Sequence, residues 1–516
     1  MSLSTFSGLY IAKSGVQASR AGLQITGQNM TNVNTEGYTK QTVDTYSLEP
    51  AQGNMRIAGA SLQTGEGVIC TKTSQSRDPY LDIRFREKST EAGEATAKRG
   101  TLSDIENVFD ETVTEGISSR IEDFISQLQT YSQTPTDSSL ENTVKTSSSL
   151  LANAFNYTAK KLEDARESAE TSLTTDVSNV NDLVKSIASY NKQIRSAELS
   201  GSSALEIKDK LNTAIDELSN CMNIKVENST EAAGVTTVSK LTISLVASDG
   251  SSHTLVDGGD YNTLSMNANH TMDIKDSASN TVASSVYITT GTIGGYCKML
   301  NDEGEFGTAV SSGTDPIRGI GYYEKMLDKL ANQFAGIMNK QNSTDSAGTN
   351  KPLFESSDSS NSTITASNIS VSKKWENAAS AYLTTTKSES TTGTAGTDGS
   401  NLLSMINALS QKTDFTTAAD NSNSGTALFT ASVNSYMSTV TNTVLALQAK
   451  DVQREKDTAD SELDSTDTER ASVSSVDINE EGINMIKYNQ AFSASSRFMT
   501  TINEMLDTLI NEMGIV

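Results

Sequence analysis

The chain has 516 residues and carries 64 acidic against 40 basic side chains, a formal net charge of −24 at pH 7. Nucleic acids and anionic membranes are disfavoured as partners, because both require a basic face. The length exceeds a single compact core, and a content of 35% hydrophobic and 5% aromatic residues favours elongated helical domains over a bulky globular enzyme.

The N-terminal stretch predicts a helix that depends on a partner. Four large apolar residues recur there at a spacing of seven, which puts them on one face: Leu9, Val16, Leu23 and Met30. Several glycines interrupt the pattern and weaken an isolated helix. We therefore expect this helix to be stable only when its apolar face packs against another helix.

A chain reversal is predicted directly after this helix. Asn, Thr and Gly are dense in the run, which comprises Asn29, Asn32, Asn34, Thr35, Gly37 and Tyr38. Asparagine side chains bond to nearby backbone, and Gly37 permits a positive φ angle. Because an aromatic residue follows the glycine, we expect the turn to pack against another part of the chain.

The next part of the chain is mostly helical. Residues 44–72 are irregular and rich in glycine, which predicts extended chain with short strands. Helical patterns follow over residues 87–134 and 140–199. In the second pattern the apolar residues fall on one narrow face, as in a long helix of a bundle: Leu151, Phe155, Leu162, Val180, Val184, Ile187 and Ile194.

The pattern changes to strands in the middle of the chain. Residues 240–246 alternate between polar and apolar side chains, and residues 285–289 form a second strand pattern. Asp249-Gly250 is a hairpin-turn signal between them. A β-rich inserted outer domain is therefore predicted at residues 221–317.

Helix returns after the insert and dominates to the end, apart from a Ser/Thr-rich segment, residues 345–399, around Trp375. Whether this segment is part of an outer domain stays open. The last helix begins with an acidic turn, which suits a helix N-terminus, and carries a narrow apolar stripe: Ala491, Ala494, Phe498, Ile502, Met505, Leu509 and Met513. Such a stripe needs a partner, and the N-terminal helix offers one. The alternative is that both are ordinary amphipathic helices of one core.

No catalytic constellation stands out. His253 and His270 are the only histidines, and both lie in Ser-, Asn- and Gly-rich sequence typical of solvated turns. Residues 257–260 fit a hairpin turn better than a calcium loop, because the spacing of an EF-hand is absent. We predict no enzyme activity, no cofactor and no metal site.

The cysteine spacing and the hydropathy of the chain argue against a disulfide-rich protein and against a membrane-spanning one. The cysteines are odd in number and form no CxxC pair, which argues against a disulfide framework and for buried small hydrophobes: Cys70, Cys221 and Cys297. No apolar run reaches membrane-spanning length, and the first residues lack the cationic and apolar segments of a secretory signal. We therefore expect no membrane partner and, if the protein is exported, a route that does not read such a signal.

The run Asn29–Tyr38, read as Asn-x-x-Asn-x-x-Thr-x-Gly-Tyr, resembles the turn that follows the N-terminal helix in the bacterial flagellar axial proteins, the family of rod, hook and hook-associated proteins. Within that family, residues 39–41, 77–84 and 488–492 resemble the hook-associated branch. Glu36 stands where the family often has proline, which loosens the turn. The resemblance covers the two ends of the chain and not its middle.

The resemblance implies a mainly α, elongated, multidomain fold with inserted β structure, in which the N- and C-terminal helices pair as a coiled coil and the other domains nest between them. Residues 1–43 and 473–516 would form the terminal domain. A long-helix bundle would comprise three further segments, 44–220, 318–344 and 400–472. The insert at 221–317 would face outward.

The implied function is structural. The subunit would leave the cell through the flagellar type III export apparatus, polymerise onto the hook tip through its terminal helices and form the junction between hook and filament. The expected assembly interface is Leu9, Val16, Leu23, Met30, Phe498, Ile502, Met505 and Leu509. Implied partners are further copies of the chain, the hook protein, a second junction hook-associated protein and an export chaperone. Alternatives are a hook or distal rod protein, or a secreted adhesin that binds through the β insert.

Overall fold

The computed structural model describes residues 5–48, 65, 67–110, 116–233, 236–307, 317–343, 351–358, 362–378, 382–386, 398–417, 427–508 and 510. Within these residues the chain forms long helices and small antiparallel sheets, which confirms the mainly α architecture with inserted β structure. No helix in these ranges is both long enough and apolar enough to cross a membrane.

The two ends of the chain form a helix pair: α1 (Thr5–Thr31) and α12 (Ile478–Asp507). The helices run antiparallel, because Gly8 faces Ile502 whereas Gly22 faces Tyr488. The predicted pairing of the terminal helices is thus confirmed, although several hundred residues separate α1 from α12 in the sequence.

A strand pair and a capped helix lead from α1 into the body of the protein: β1 (Gln41–Ser47), β2 (Val68–Gln75) and α2 (Pro79–Val108). The strands are antiparallel, with Gln41 opposite Gln75. Pro79 presets a helical φ at the first position of α2, and Asp78 caps the helix by accepting a hydrogen bond from the backbone N–H of Tyr80 at 2.9 Å. The start of α2 is therefore fixed by its own sequence.

Four long helices form the bundle with α2: α3 (Ile117–Gln133), α4 (Ser138–Leu199), α5 (Leu205–Cys221) and α7 (Ile320–Asn342). α4 has 62 residues, which at 1.5 Å per residue is a rod of about 93 Å. All seven apolar residues that the sequence predicted on its face are buried. Phe124, Phe155, Phe334 and Phe354 meet in the core between α3, α4 and α7, where Phe124 and Phe334 make an edge-to-face contact.

Two small sheets and one helix fill the middle of the chain: β3 (Ile224–Ala233), β4 (Thr236–Val246), β5 (Ser252–Asp257), β6 (Asp260–Tyr261), β7 (Thr263–Met266), β8 (Met272–Lys275), β9 (Thr281–Val286) and α6 (Gly291–Asn301). One sheet has the order β3-β4-β5-β6 and the other β7-β8-β9. The strand predicted at 240–246 lies within β4, and the turn predicted at 257–260 joins β5 to β6. The strand predicted at 285–289 instead ends at Val286.

α6 is a helix inside the segment that the sequence predicted as β-rich. Its glycines conceal it, because glycine is a poor helix former. They are required by packing: a Cβ added at Gly295 would lie 2.7 Å from the carbonyl oxygen of Glu94 on α2, and one at Gly294 would strike the backbone of Thr289. Tertiary contact therefore overrides the local propensity here.

The remaining elements are short up to the long α11: β10 (Phe354–Ser356), β11 (Ile369–Val371), α8 (Lys373–Glu376), α9 (Ser400–Ser410), β12 (Thr413–Thr416), β13 (Ala427–Ala431), α10 (Val433–Thr439) and α11 (Ala446–Ser474). One π-helical stretch, Val440–Leu445, joins α10 to α11. The described residues between 351 and 386 bury Leu353, Ile369 and Trp375 in the same core as the bundle. The division of the chain into domains stays a prediction.

Glu141 on α4 holds the segment around Trp375 against the bundle. Its side chain is buried, and its Oε1 accepts hydrogen bonds from the backbone N–H groups of Tyr382 at 3.0 Å and Leu383 at 3.1 Å and from Nε1 of Trp375 at 3.4 Å. The Trp375 ring stacks on that of Tyr382. One carboxylate thus satisfies several buried donors from a distant part of the sequence.

α11 packs against α2 mainly through charged side chains. Ion pairs join Lys88 to Glu462 at 2.7 Å, Arg84 to Glu469 at 2.8 Å and Lys98 to Glu455 at 3.3 Å. Within the described part of α11 only Ala449, Ala459 and Thr466 are buried. α11, which leads to α12, is therefore a largely solvent-exposed helix held to α2 by ion pairs rather than a helix of the hydrophobic core.

Candidate assembly interface

α1 meets α12 along a seam of small and polar residues. The seam follows steps of four and three: Gly8, Ala12, Gly15, Ser19, Gly22, Thr26 and Asn29. A Cβ added at Gly22 would lie 2.6 Å from the ring of Tyr488, and one at Gly15 would lie 2.8 Å from Oγ of Ser495. Because these positions carry no Cβ, the two helices approach closely.

Most of the large apolar residues lie beside this seam rather than in it. The sequence analysis expected the apolar stripes of the two helices to meet, but Leu9, Val16, Leu23 and Met30 are only half-buried. On α12, Phe498 is 44% and Met505 57% exposed, whereas Ile502 is half-buried against Gly8. Leu509, Met513 and the side chain of Phe6 lie outside the described residues. Most of the predicted interface is thus accessible to another molecule.

α12 exposes further apolar side chains along its length: Ile478, Ile483, Met485, Ile486 and Phe492. Met485 and Phe492 are seven residues apart, as are Phe498 and Met505, so they form rows along the helix. A soluble surface does not normally carry such a continuous apolar area, and a large one marks a contact site.

Asn29 organises the turn after α1. Its Oδ1 accepts hydrogen bonds from the hydroxyl of Tyr38 at 2.9 Å and from the backbone N–H of Gln41 at 3.1 Å, and its Nδ2 donates to the carbonyl of Gln41 at 2.9 Å. Asn32 donates from Nδ2 to the carbonyl of Gln28 at 3.0 Å and so closes the end of the helix.

The rest of the turn follows the prediction for its backbone. The N–H of Thr35 donates to the carbonyl of Asn32 at 2.9 Å, and Gly37 has a φ of +74°. A side chain at Gly37 would be strained and would also strike Thr213 of α5. Asn34 is exposed. The turn thus packs against α5, which the sequence anticipated without naming the contact.

Asp209 on α5 anchors this turn to the bundle. Its carboxylate accepts hydrogen bonds from the backbone N–H of Thr39 at 3.3 Å and from Nε2 of Gln75 at 2.8 Å. Burial and the nearby Asp209 raise the pKa of Tyr38 to about 12, and burial raises the pKa of Asp209 itself. The hydroxyl of Tyr38 therefore stays protonated and keeps donating to Asn29.

The C-terminal end of α11 lies beside the chain that follows the turn; this contact, formed by Lys40, Ser76, Val473 and Ser474, is called the neck. The backbone N–H of Lys40 donates to the carbonyl of Ser474 at 2.8 Å, and Oγ of Ser76 donates to the carbonyl of Val473 at 3.0 Å. Nζ of Lys40 also pairs with Glu480 at 2.6 Å. These bonds fix where both chain segments leave the bundle.

Asp216 ties three elements together beside the neck. It pairs with Arg86 of α2 at 2.8 Å and with Arg470 of α11 at 2.6 Å, and the guanidinium of Arg470 lies 3.6 Å from the ring centroid of Phe85. The sequence analysis missed Asp209 and Asp216. Their partners lie more than 100 residues away in the chain, so no local pattern reveals them.

Nothing in the described residues resembles a catalytic centre. Within them no group of three or more His, Cys, Asp or Glu side chains could hold a metal ion. His253 lies 2.9 Å from Oγ of Ser251, and His270 is partly buried with Nδ1 2.7 Å from Oδ1 of Asn301, so it is not the solvated residue that the sequence predicted.

The cysteines differ in burial. Cys297 is buried and Cys221 is half-buried, and burial raises the pKa of the Cys221 thiol to about 11 and that of Cys297 to about 12. Cys70 is exposed, so the prediction of three buried cysteines is wrong for this residue. It lies on β2, which pairs with β1 alone among the described residues.

Comparisons with known proteins agree with this architecture. A family model described as the flagellar hook-associated protein FlgK helical domain matches residues 102–354, and one described as the flagellar basal body rod FlgEFG protein C-terminal matches residues 470–512. Flagellar hook-associated protein 1 of Bacillus subtilis is 27% identical over 99% of this chain and 99% of that protein.

Two more comparisons cover part of the chain. Flagellar hook-associated protein 1 of Escherichia coli is 27% identical over 42% of this chain and 38% of that protein. The solved structure of the flagellar hook junction protein FlgK from Burkholderia pseudomallei is 20% identical, with a TM-score of 0.42, over 53% of this chain and 46% of that chain. The terminal helix pair, the helical body and the family matches together show that the chain is a structural protein of the flagellum, not an enzyme, and that it belongs to the FlgK family of flagellar hook-associated proteins.

Proposed function

We propose that the protein polymerises through α1 and α12 onto the tip of the flagellar hook and forms the junction between hook and filament. The observation that carries this proposal is the apolar surface of the terminal helix pair, where Phe498 and Met505 are 44% and 57% exposed. Such side chains are unfavourable in water, and each contributes about 1.5–3 kcal/mol when fully buried.

Burial between copies follows from the geometry of the pair. Small residues close the α1–α12 seam, so the flanking apolar residues stay at least partly exposed among the described residues and can pack against another molecule. A contact between two different faces of identical subunits builds an open helical assembly when its rotation does not close a ring. This proposal gives Leu9, Val16, Leu23, Met30, Phe498, Ile502, Met505 and Leu509 the role of the inter-subunit core.

The proposed partners follow from this position in the flagellum. The hook protein lies below, a second junction hook-associated protein lies above, and an export chaperone covers the apolar stripe of α12 before secretion through the type III apparatus. The final location is then extracellular. Residues 29–38 set the direction in which the terminal pair leaves the bundle, through the bonds of Asn29 and Tyr38.

The substitution Met505→Asp tests the proposal. A buried unpaired charge is strongly unfavourable, so we expect the variant to fold but to fail to join hooks and filaments. Leu403→Asp is the matched control, because Leu403 is 49% exposed on α9, away from the terminal pair. Cells without the native gene would carry each variant, and electron microscopy with an assay for free flagellin in the medium gives the readout.

Each outcome has a definite meaning. Complete hooks without filaments, with flagellin in the medium, support the junction role for both the gene deletion and Met505→Asp. A missing hook in the deletion strain places the protein lower on the axis, as a hook or rod component. Normal flagella with Met505→Asp would show that the exposed row on α12 is not the assembly face.

A further inference from the structure

A groove of about 700 Å³ lies between α4, α5 and the turn after α1. Its floor is apolar and aromatic, formed by the half-buried Leu183 and Tyr190 of α4 together with Tyr38. Three exposed carboxylates edge it: Glu36, Glu206 and Glu217. No ion pair to these three is seen in the part of the chain that the structure describes, and Lys210 is the one cation among the groove residues there.

α1 carries the complementary surface. Lys13 and Arg20 are both exposed, and residues 5–31 include no Asp or Glu, on a chain whose net charge is −24. Lys13 lies three and four residues from Val16 and Leu9, and Arg20 stands in the same relation to Leu23 and Val16. At this spacing the two cations border the half-buried apolar row along one side of the helix.

The groove and α1 of the same copy cannot meet through these residues. Gln28, near the end of α1, reaches the rim of the groove by donating to Oε1 of Glu206 at 2.7 Å. Arg20 and Lys13 precede Gln28 by eight and fifteen residues, which places them roughly 12 and 22 Å back along the helix. A side chain does not span that distance, so Lys13 and Arg20 do not reach Glu206 of their own copy and are available to the groove of another copy.

We propose that the groove of one copy receives the exposed face of α1 from a neighbouring copy. Lys13 and Arg20 face the carboxylates at the rim, and the apolar row between them packs on Leu183 and Tyr190. The inference rests on the proposed axial assembly and adds the second half of its contact, because it assigns the surface that α1 binds. A contact between unlike faces propagates from copy to copy, and opposite charges set its register.

Disulfide cross-linking tests the contact in assembled flagella. Two full-length forms are expressed together in cells without the native gene, one with Arg20→Cys and the other with Glu217→Cys. Both carry Cys70→Ser, because Cys70 is an exposed free thiol. After oxidation with diamide we expect a cross-linked dimer. The matched control replaces Glu217→Cys with Glu122→Cys, which lies exposed on α3, and should stay monomeric.

The cross-linking result separates this inference from the proposed function. Flagella that contain both forms but yield no dimer would overturn the groove as the seat of α1 and leave the axial role intact. Absence of the native protein from isolated flagella would instead contradict the axial role itself. A dimer of equal yield in the Glu122→Cys control would also overturn the inference, because it would show that the cross-link is not specific.

A charge exchange gives a second, independent readout. We expect the pair Lys13→Glu/Arg20→Glu, or the pair Glu36→Lys/Glu217→Lys, to reduce incorporation about tenfold, because two attractive contacts become repulsive. All four substitutions in one chain restore opposite charges across the contact, so incorporation should recover. Failure to recover would show that the cations of α1 meet another surface, such as a different protein or an anionic one, and would contradict the proposal.

Discussion

Removal of the Glu141 carboxylate should release the segment around Trp375 from the bundle. Glu141→Ala leaves the buried backbone N–H of Leu383 and the partly buried N–H of Tyr382 without their acceptor, and Nε1 of Trp375 loses a longer bond. An unsatisfied buried donor costs about 1–3 kcal/mol, so the loss of the two short bonds predicts a decrease of roughly 2–6 kcal/mol in the local free energy of unfolding. Glu141→Gln keeps an acceptor oxygen and should lose less.

Tryptophan fluorescence reports this event alone, because Trp375 is the only tryptophan and its side chain is fully buried. We expect the urea midpoint of the fluorescence transition to fall by about 1–3 M in Glu141→Ala, for an m value of about 2 kcal/mol/M. The transition followed by circular dichroism should move less, because most helices do not contact this segment. Glu122→Ala, on the exposed face of α3, is the control. An unchanged fluorescence midpoint in Glu141→Ala would refute the role given to this carboxylate.

Two further substitutions test the seam and a buried carboxylate. Gly22→Val should separate α1 from α12 and abolish incorporation into flagella, because its Cβ would lie 2.6 Å from Tyr488. Gly27→Ala is the control and should be tolerated, because its Cβ meets nothing within 4 Å. Normal motility of the Gly22→Val strain would contradict the close seam. Asp302 is 5% exposed, neither of its carboxylate oxygens has a hydrogen-bond partner in the described residues, and burial raises its pKa to about 6. The folded state therefore favours the protonated acid, and the stability that protonation gives is lost as pH rises through 6. Asp302→Asn should be about 1–3 kcal/mol more stable than the native chain at pH 8 but not at pH 4, by chemical denaturation at each pH; equal stability at pH 8 would count against it.

The sequence predicted the long helices well because their apolar residues repeat at a constant spacing. α4 is the clearest case, since one narrow face stays buried over its whole length. The pairing of α1 with α12 was also predicted, but the seam between them consists mainly of small residues rather than of the large apolar ones. The reasoning treated glycine only as a helix breaker, whereas Gly8, Gly15 and Gly22 themselves recur every seven residues and mark the seam.

The parts that the sequence could not predict depend on contacts between distant segments. Glu141 meets residues more than 230 positions later, and Asp216 joins α2 to α11. A carboxylate in a chain with 64 acidic residues gives no local sign that it is one of the few buried ones. The groove was missed for the same reason, because its floor and rim come from α4, α5 and the turn, which only the fold brings together.

Because the small-residue seam of α1 packs against α12, α1 can complete its packing only when α12 is present. α1 ends at Thr31 and α12 begins at Ile478, so 446 residues separate them along the chain. At about 5–20 residues per second a ribosome needs roughly 20–90 s to cross that interval, during which α1 lacks its partner helix α12 and its glycines weaken it as an isolated helix. A chain that ends between α11 and α12 still contains the bundle helices, but it cannot form the helix pair. The arrangement therefore works as a check on completeness, in which only a finished polypeptide presents the surface that enters the flagellum.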